Sequence, residues 1–141
     1  MSAAEILAQV LSTLNLEFLF LVAVGTLIGL IVGALPGLTT TMGIALLTGI
    51  TFKFSGNAAI ALLVGLYVGG VSGGSLSAIL VGIPGTPANA STTLDGFPLA
   101  MQGKASQAIF IARTASVIGT LFGIFCLACF TPLLNKITLM F

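Results

Sequence analysis

Two short stretches hold most of the residues able to do chemistry in an otherwise apolar chain. The first is Pro36-Gly37-Leu38 with Thr39, Thr40 and Thr41 behind it; the second runs from Pro84-Gly85-Thr86-Pro87 through Asn89, Ser91, Thr92 and Thr93 to Asp95-Gly96. Both offer neutral hydrogen-bonding groups beside backbone that proline and glycine stop from continuing as helix. Proline suits the first turn of a helix, where its missing N–H costs nothing, and glycine permits the sharp turn before it. A new helix start presents oriented N–H groups with partial positive charge, which hold carboxylates and similar anions. The chemistry such groups can do is reversible binding of a solute between broken helices. Gly37, Thr39, Thr40 and Thr41 from one break, and Gly85, Thr86, Asn89, Ser91 and Thr92 from the other, are the candidate lining. Asp95, the one acid after residue 17, is the candidate for cation coupling or gating, with unwound carbonyls and threonine hydroxyls as further oxygen ligands. Read as a surface loop, the second stretch closes on an Asp95-Gly96 turn instead.

Other chemistries lack their residues. The chain has no histidine, so imidazole-dependent triads and metal sites are absent, and its few carboxylates include no pair for acid–base work. Gly70-Val71-Ser72-Gly73-Gly74 satisfies G-x-S-x-G, yet a nucleophile elbow needs a preceding strand and a base. Cys126-Leu-Ala-Cys129 lies within an apolar segment with no further ligand nearby and reads as two small apolar residues. Asn89-Ala90-Ser91 is a formal glycosylation sequon, meaningful only on a secretory protein. No enzyme is expected. Four bases against three acids, for a net charge of +1, cannot supply a nucleic-acid surface either.

The elements that position the two stretches follow from hydropathy and charge. The 141 residues are 57% hydrophobic and 5% charged, far from the roughly 25% charge of a soluble domain. Glu17 and Lys53 bracket 35 uncharged residues, Lys53 and Asp95 bracket 41, and Arg113 and Lys136 bracket 22. A hydrocarbon layer of about 30 Å takes roughly 20 helical residues, so the third interval fits one crossing and the first two need more than one segment each. The fold class expected is an all-α membrane protein with four to five hydrophobic segments, its helices broken at the two Pro-Gly motifs. Spans are expected at Phe18–Leu35 and Ala115–Leu134, with shorter helices over Met42–Phe52 and Asn57–Val68 and a Gly/Ser-rich run over Gly69–Ser77. Residues 1–16, with Ile6, Val10 and Leu14 on one face, read as an interfacial amphipathic helix or as an extension of the first span, and 17–141 as the transmembrane domain. Arg113 is expected to snorkel to the headgroups, and four bases are too few to set an orientation.

Glycines recur at every fourth position: Gly25, Gly29 and Gly33; Gly65, Gly69 and Gly73; Gly119 and Gly123. Such stripes let helix backbones approach closely in lipid and read as packing faces. The two Pro-Gly breaks stand 48 residues apart, each after an apolar run and before hydroxyls, which is the sequence pointer to a transporter site built between broken helices.

Three motifs in order carry a family resemblance. Gly33-Ala-Leu-Pro-Gly-Leu38, Tyr67-Val-Gly-Gly-Val-Ser-Gly-Gly-Ser75, and Ile83-Pro-Gly-Thr86 running on to Leu94-Asp-Gly-Phe-Pro-Leu-Ala-Met-Gln-Gly-Lys104 resemble the large membrane subunit of tripartite tricarboxylate transporters, from about Glu17 to Pro132. The resemblance implies a multi-pass carrier of the bacterial inner membrane for citrate-like or other carboxylates, driven by a Na+ or H+ gradient and using no resident cofactor. Its implied partners are a periplasmic solute-binding protein and a small membrane subunit. Family members are several times longer, so the chain resembles their N-terminal part; a C-terminal half or a second copy is a further implied partner. Thr48-Gly49 stands where the family often has leucine and proline. The alternative is a truncated or orphan structural fragment without transport of its own. A channel has no ring of like charge or filter-like repeat to support it.

Overall fold

The computed structural model describes residues 15–138, with side chains through residue 131. Its helices are α1 (Leu16–Ala34), α2 (Thr40–Thr51), α3 (Gly56–Val81), a 3-10 turn at Pro87–Asn89, α4 (Ala90–Leu99) and α5 (Ala105–Thr138), with a kink over Ala100–Lys104 where Gly103 leaves helical geometry. Among the described residues three stretches are long and apolar enough to cross a membrane, Leu16–Ala34, Gly56–Val81 and the run Pro87–Thr131, the last of them kinked at Gly103 (φ 78°); α2 is a shorter apolar helix. The all-α membrane architecture expected from the sequence is present. The expected interfacial helix lies outside the described residues, except that Leu16 begins α1.

Polar caps set the helix starts. Asn15 Oδ1 accepts from Phe18 N at 2.7 Å, Thr39 Oγ1 from Met42 N at 3.3 Å, and Ser55 Oγ from Ala58 N at 3.4 Å. Each occupies an orphan donor that lipid would leave unpaired. Hydroxyls within helices bond their own backbone in the same way, as Thr26 does to Val22 O and Ser75 to Ser72 O, both at 2.7 Å.

The core is the α1–α3 pair. A Cβ placed on Gly25, Gly29 or Gly33 would strike the carbonyl oxygen of Leu62, Leu66 or Gly70, and one on Gly65, Gly69 or Gly73 would strike that of Val22, Thr26 or Leu30. Both series climb in steps of four together, so the helices run parallel, in backbone contact along their length. Close approach gives dispersion and Cα–H···O contacts in a setting without a hydrophobic drive. It also explains why α3 is one helix through Gly69–Ser77, beyond the Asn57–Val68 helix read from the sequence. Glycine's helix penalty is about 1 kcal/mol each, while an unwound backbone in lipid costs several per unpaired group.

Against the groove of this parallel pair, α2 runs back. Its start touches Gly70, Gly43 lies against Val32 and Leu66, and its last residue Thr51 is buried close to the start of α3. Twelve residues rise about 18 Å, short of the roughly 30 Å layer, so α2 begins part-way along α3.

Candidate functional site

At the first break, α1 ends in extended Leu35, Gly37 takes φ 92°, and Leu38 N bonds Leu35 O at 3.2 Å before Thr39 caps α2. The second break is a re-entrant hairpin. Gly82 ends α3 in the left-handed region at φ 74°, and the chain then folds back along α3 as extended backbone. Gly85 reaches Gly74, and Asn89 reaches Val71. From there α4 climbs again, placing Gly96 against Ile79 and Phe97 against Gly82. The tip, residues 85–89, therefore lies about 10 residues below the end of α3, a depth of roughly 15 Å.

Both breaks meet on one stretch of α3. A Cβ on Gly70 would come within 2.5 Å of Thr40 Oγ1, and one on Gly74 within 2.5 Å of Asn89 Nδ2 and 3.2 Å of Thr86 N. Gly85 packs on Gly33 O at the end of α1 and on Gly74 Cα. Asn89 Nδ2 donates to Val71 O and to Thr86 Oγ1, each at 2.9 Å. Thr40, Thr86 and Asn89 are buried among apolar helices. Thr40 Oγ1 is buried with no hydrogen-bond partner, as is Thr93 Oγ1 on α4.

The candidate residues thus divide into three groups. Thr40, Gly85, Thr86 and Asn89 come together at the Gly70–Gly74 face, while Gly37 and Thr41 are exposed beside it and Thr39 is spent on the cap of α2. Ser91, Thr92 and Asp95 do not join them. They line a separate cleft of about 320 Å³ between α3, α4 and α5, with Ile79, Ala108 and Ile111 opposite. Asp95-Gly96 is helical rather than a closing turn, because Gly96 is needed for close contact: a Cβ there would sit 2.8 Å from Ile79 Cγ1. The sequence reading missed Gly70 and Gly74. Their signal is the doubling Gly69-Gly70 and Gly73-Gly74, which gives α3 one glycine stripe for α1 and a second, adjacent one for the breaks.

Chemically, the first break carries both poles. The last carbonyls of α1 lack helical donors and favour a cation; the N–H groups of Thr40 and Thr41 lack helical acceptors and favour an anion. Among the described residues no group of three His, Cys, Asp or Glu could hold a metal ion.

Along α5 the expected packing glycines, Gly119 and Gly123, have nothing within 4 Å of an added Cβ, and every residue from Arg113 to Thr131 except Cys126 is exposed. Arg113 lies in the third turn of α5, which starts earlier than the sequence indicated.

Residues 19–141 match the Tripartite tricarboxylate transporter TctA family. A protein of Agrobacterium vitis, described as an uncharacterized 52.8 kDa protein in the TAR-I ttuC' 3' region, is 38% identical over 131 residues, 93% of this chain and 26% of that protein. The chain thus spans about a quarter of that relative's length. No solved structure matches it. With the match covering nearly the whole chain, and with both glycine-proline breaks inside it, the chain belongs to the tripartite tricarboxylate transporter TctA family.

Proposed function

We propose that the chain forms the solute-binding end of the membrane subunit of a secondary carrier for tricarboxylates or related carboxylates in the bacterial inner membrane. A periplasmic solute-binding protein delivers the solute, a small membrane subunit completes the complex, and the remaining part of the large subunit, or a second copy, supplies the rest of the pathway. The observation that carries this reading is the meeting of two helix breaks on the Gly70–Gly74 face, with three buried polar side chains and an unpartnered Thr40 hydroxyl. A carboxylate entering there exchanges water for the N–H groups of Thr40 and Thr41, the Thr40 hydroxyl and the polar tip of the hairpin. Coupling to Na+ or H+ falls to the carbonyl end of α1 and to Asp95.

The test is uptake of labelled citrate-class acids by the complete complex in vesicles under an imposed Na+ or H+ gradient. Uptake should follow one gradient and require the binding protein. Thr40→Ala and Thr86→Ala should each raise the half-saturating solute concentration at least tenfold; unchanged affinity in both removes the assignment. A structural membrane fragment without transport of its own is the second reading, and the exposed α5 favours it. Gradient-driven uptake by the assembled complex would exclude it.

A further inference from the structure

We propose that residues 83–102 form a gate, a hairpin that swings as a unit about Gly82 and Gly103 and is held shut by the Asn89 amide on the Val71 carbonyl. Gly82 and Gly103 lie just outside the two ends of this segment, at φ 74° and 78°, and no residue between them has a positive φ. Few backbone positions can change φ so freely. The tip is closed on itself, with Asn89 Nδ2 on Thr86 Oγ1 at 2.9 Å and Asn89 N on Thr86 O at 3.0 Å, so the two arms travel together, while the Phe97 ring rests on the hinge at Gly82.

The hairpin is held to α3 by packing, at Gly85 on Gly74 Cα and at Gly96 on Ile79, with few hydrogen bonds. Gly85 N to Gly74 O is long at 3.5 Å, and Asn89 Nδ2 to Val71 O at 2.9 Å is the one side-chain hydrogen bond joining the hairpin to another element among the described residues. Val71 O lies inside α3 and keeps its helical donor when Asn89 leaves, and Asn89 keeps Thr86 Oγ1, so opening orphans neither group. Behind the hairpin, α4 has no buried residue, and the 320 Å³ cleft gives it room. Few directional bonds to release and free space on one side suit a segment that opens as a unit. That the movement admits solute rests on the transport reading; the movement itself does not.

The experiment uses membrane-embedded protein with Cys126 and Cys129 replaced by serine, and no solute. Ser77→Cys is the reporter, since Ser77 is buried and its Oγ lies beside Gly85; Ala61→Cys, fully buried near the α1 contact, is the control. A charged methanethiosulfonate reagent should label Ser77→Cys slowly. Asn89→Ala and Gly103→Ala should each speed that labelling at least tenfold without affecting Ala61→Cys. Gly103→Ala adds a methyl that meets nothing within 4 Å, so it strains only the closed backbone. If neither variant speeds labelling of Ser77→Cys, the gate is wrong. If Asn89→Ala exposes both cysteines the whole fold has loosened, and Gly103→Ala alone decides: selective labelling supports the gate, and no change overturns it.

Discussion

A hydroxyl buried without a partner costs about 1–3 kcal/mol, and Thr40 Oγ1 is such a group, sealed against Gly70. A residue kept at that cost in an apolar layer has a use the resting protein does not display. Thr40→Val keeps the shape and deletes the orphan. It should stabilise the protein against heat in detergent by roughly 1 kcal/mol while weakening solute binding in the complete complex. Stability and affinity moving in opposite senses would separate a binding hydroxyl from a packing one; a fall in both would make Thr40 a structural residue. Asp95 poses a simpler question, because its side chain is exposed in the cleft and away from the tip. Asp95→Asn should make uptake insensitive to the imposed cation gradient. Unchanged gradient dependence would return Asp95 to the surface of α4.

The same glycine spacing has different meanings in different helices, and only packing tells them apart. Gly29→Ala would drive a methyl into the Leu66 carbonyl, a backbone atom that cannot step aside, so α1 and α3 must part. A loss at the upper end of about 1–3 kcal/mol is expected in thermal unfolding. Gly119→Ala, with nothing near it, should be neutral or gain a few tenths of a kcal/mol from helix propensity. Equal destabilisation by the two would contradict the α1–α3 contact. This is also where legibility in the sequence stops. The stripes and the Pro-Gly breaks were readable because each is a local property of residue type and spacing, whereas Thr39 was read as solute lining and caps α2 instead. The unbroken course of α3 was not, since the glycines at 69–74 weaken an isolated helix and are tolerated only through neighbours. Nor was the separation of Ser91, Thr92 and Asp95 from Thr86 and Asn89: it follows from α4 rotating them onto a face that only α5 defines.

For the molecule as a whole, depth decides whether polar backbone is tolerable. From Gly56, Gly70 lies about 21 Å along α3, with about 16 Å of helix beyond it. Irregular chain at that level survives only against protein or water. Ile31 and Thr41 make the comparison possible. Ile31, exposed on α1, stands near the level of Gly33 and Gly70, while Thr41 is exposed at the start of α2 beside the same glycine. A lysine facing lipid near the middle of the layer costs about 2.5–3.5 kcal/mol, whereas one facing a hydrated hollow keeps most of its solvation. Ile31→Lys should therefore cut the yield of folded, membrane-inserted protein severalfold, and Thr41→Lys should leave it near that of the parent. Because the two positions share a depth, snorkelling and bilayer thinning help both alike. Equal loss at both would place the first break against hydrocarbon, where no solute could be held by peptide dipoles and the site would have no water to exchange.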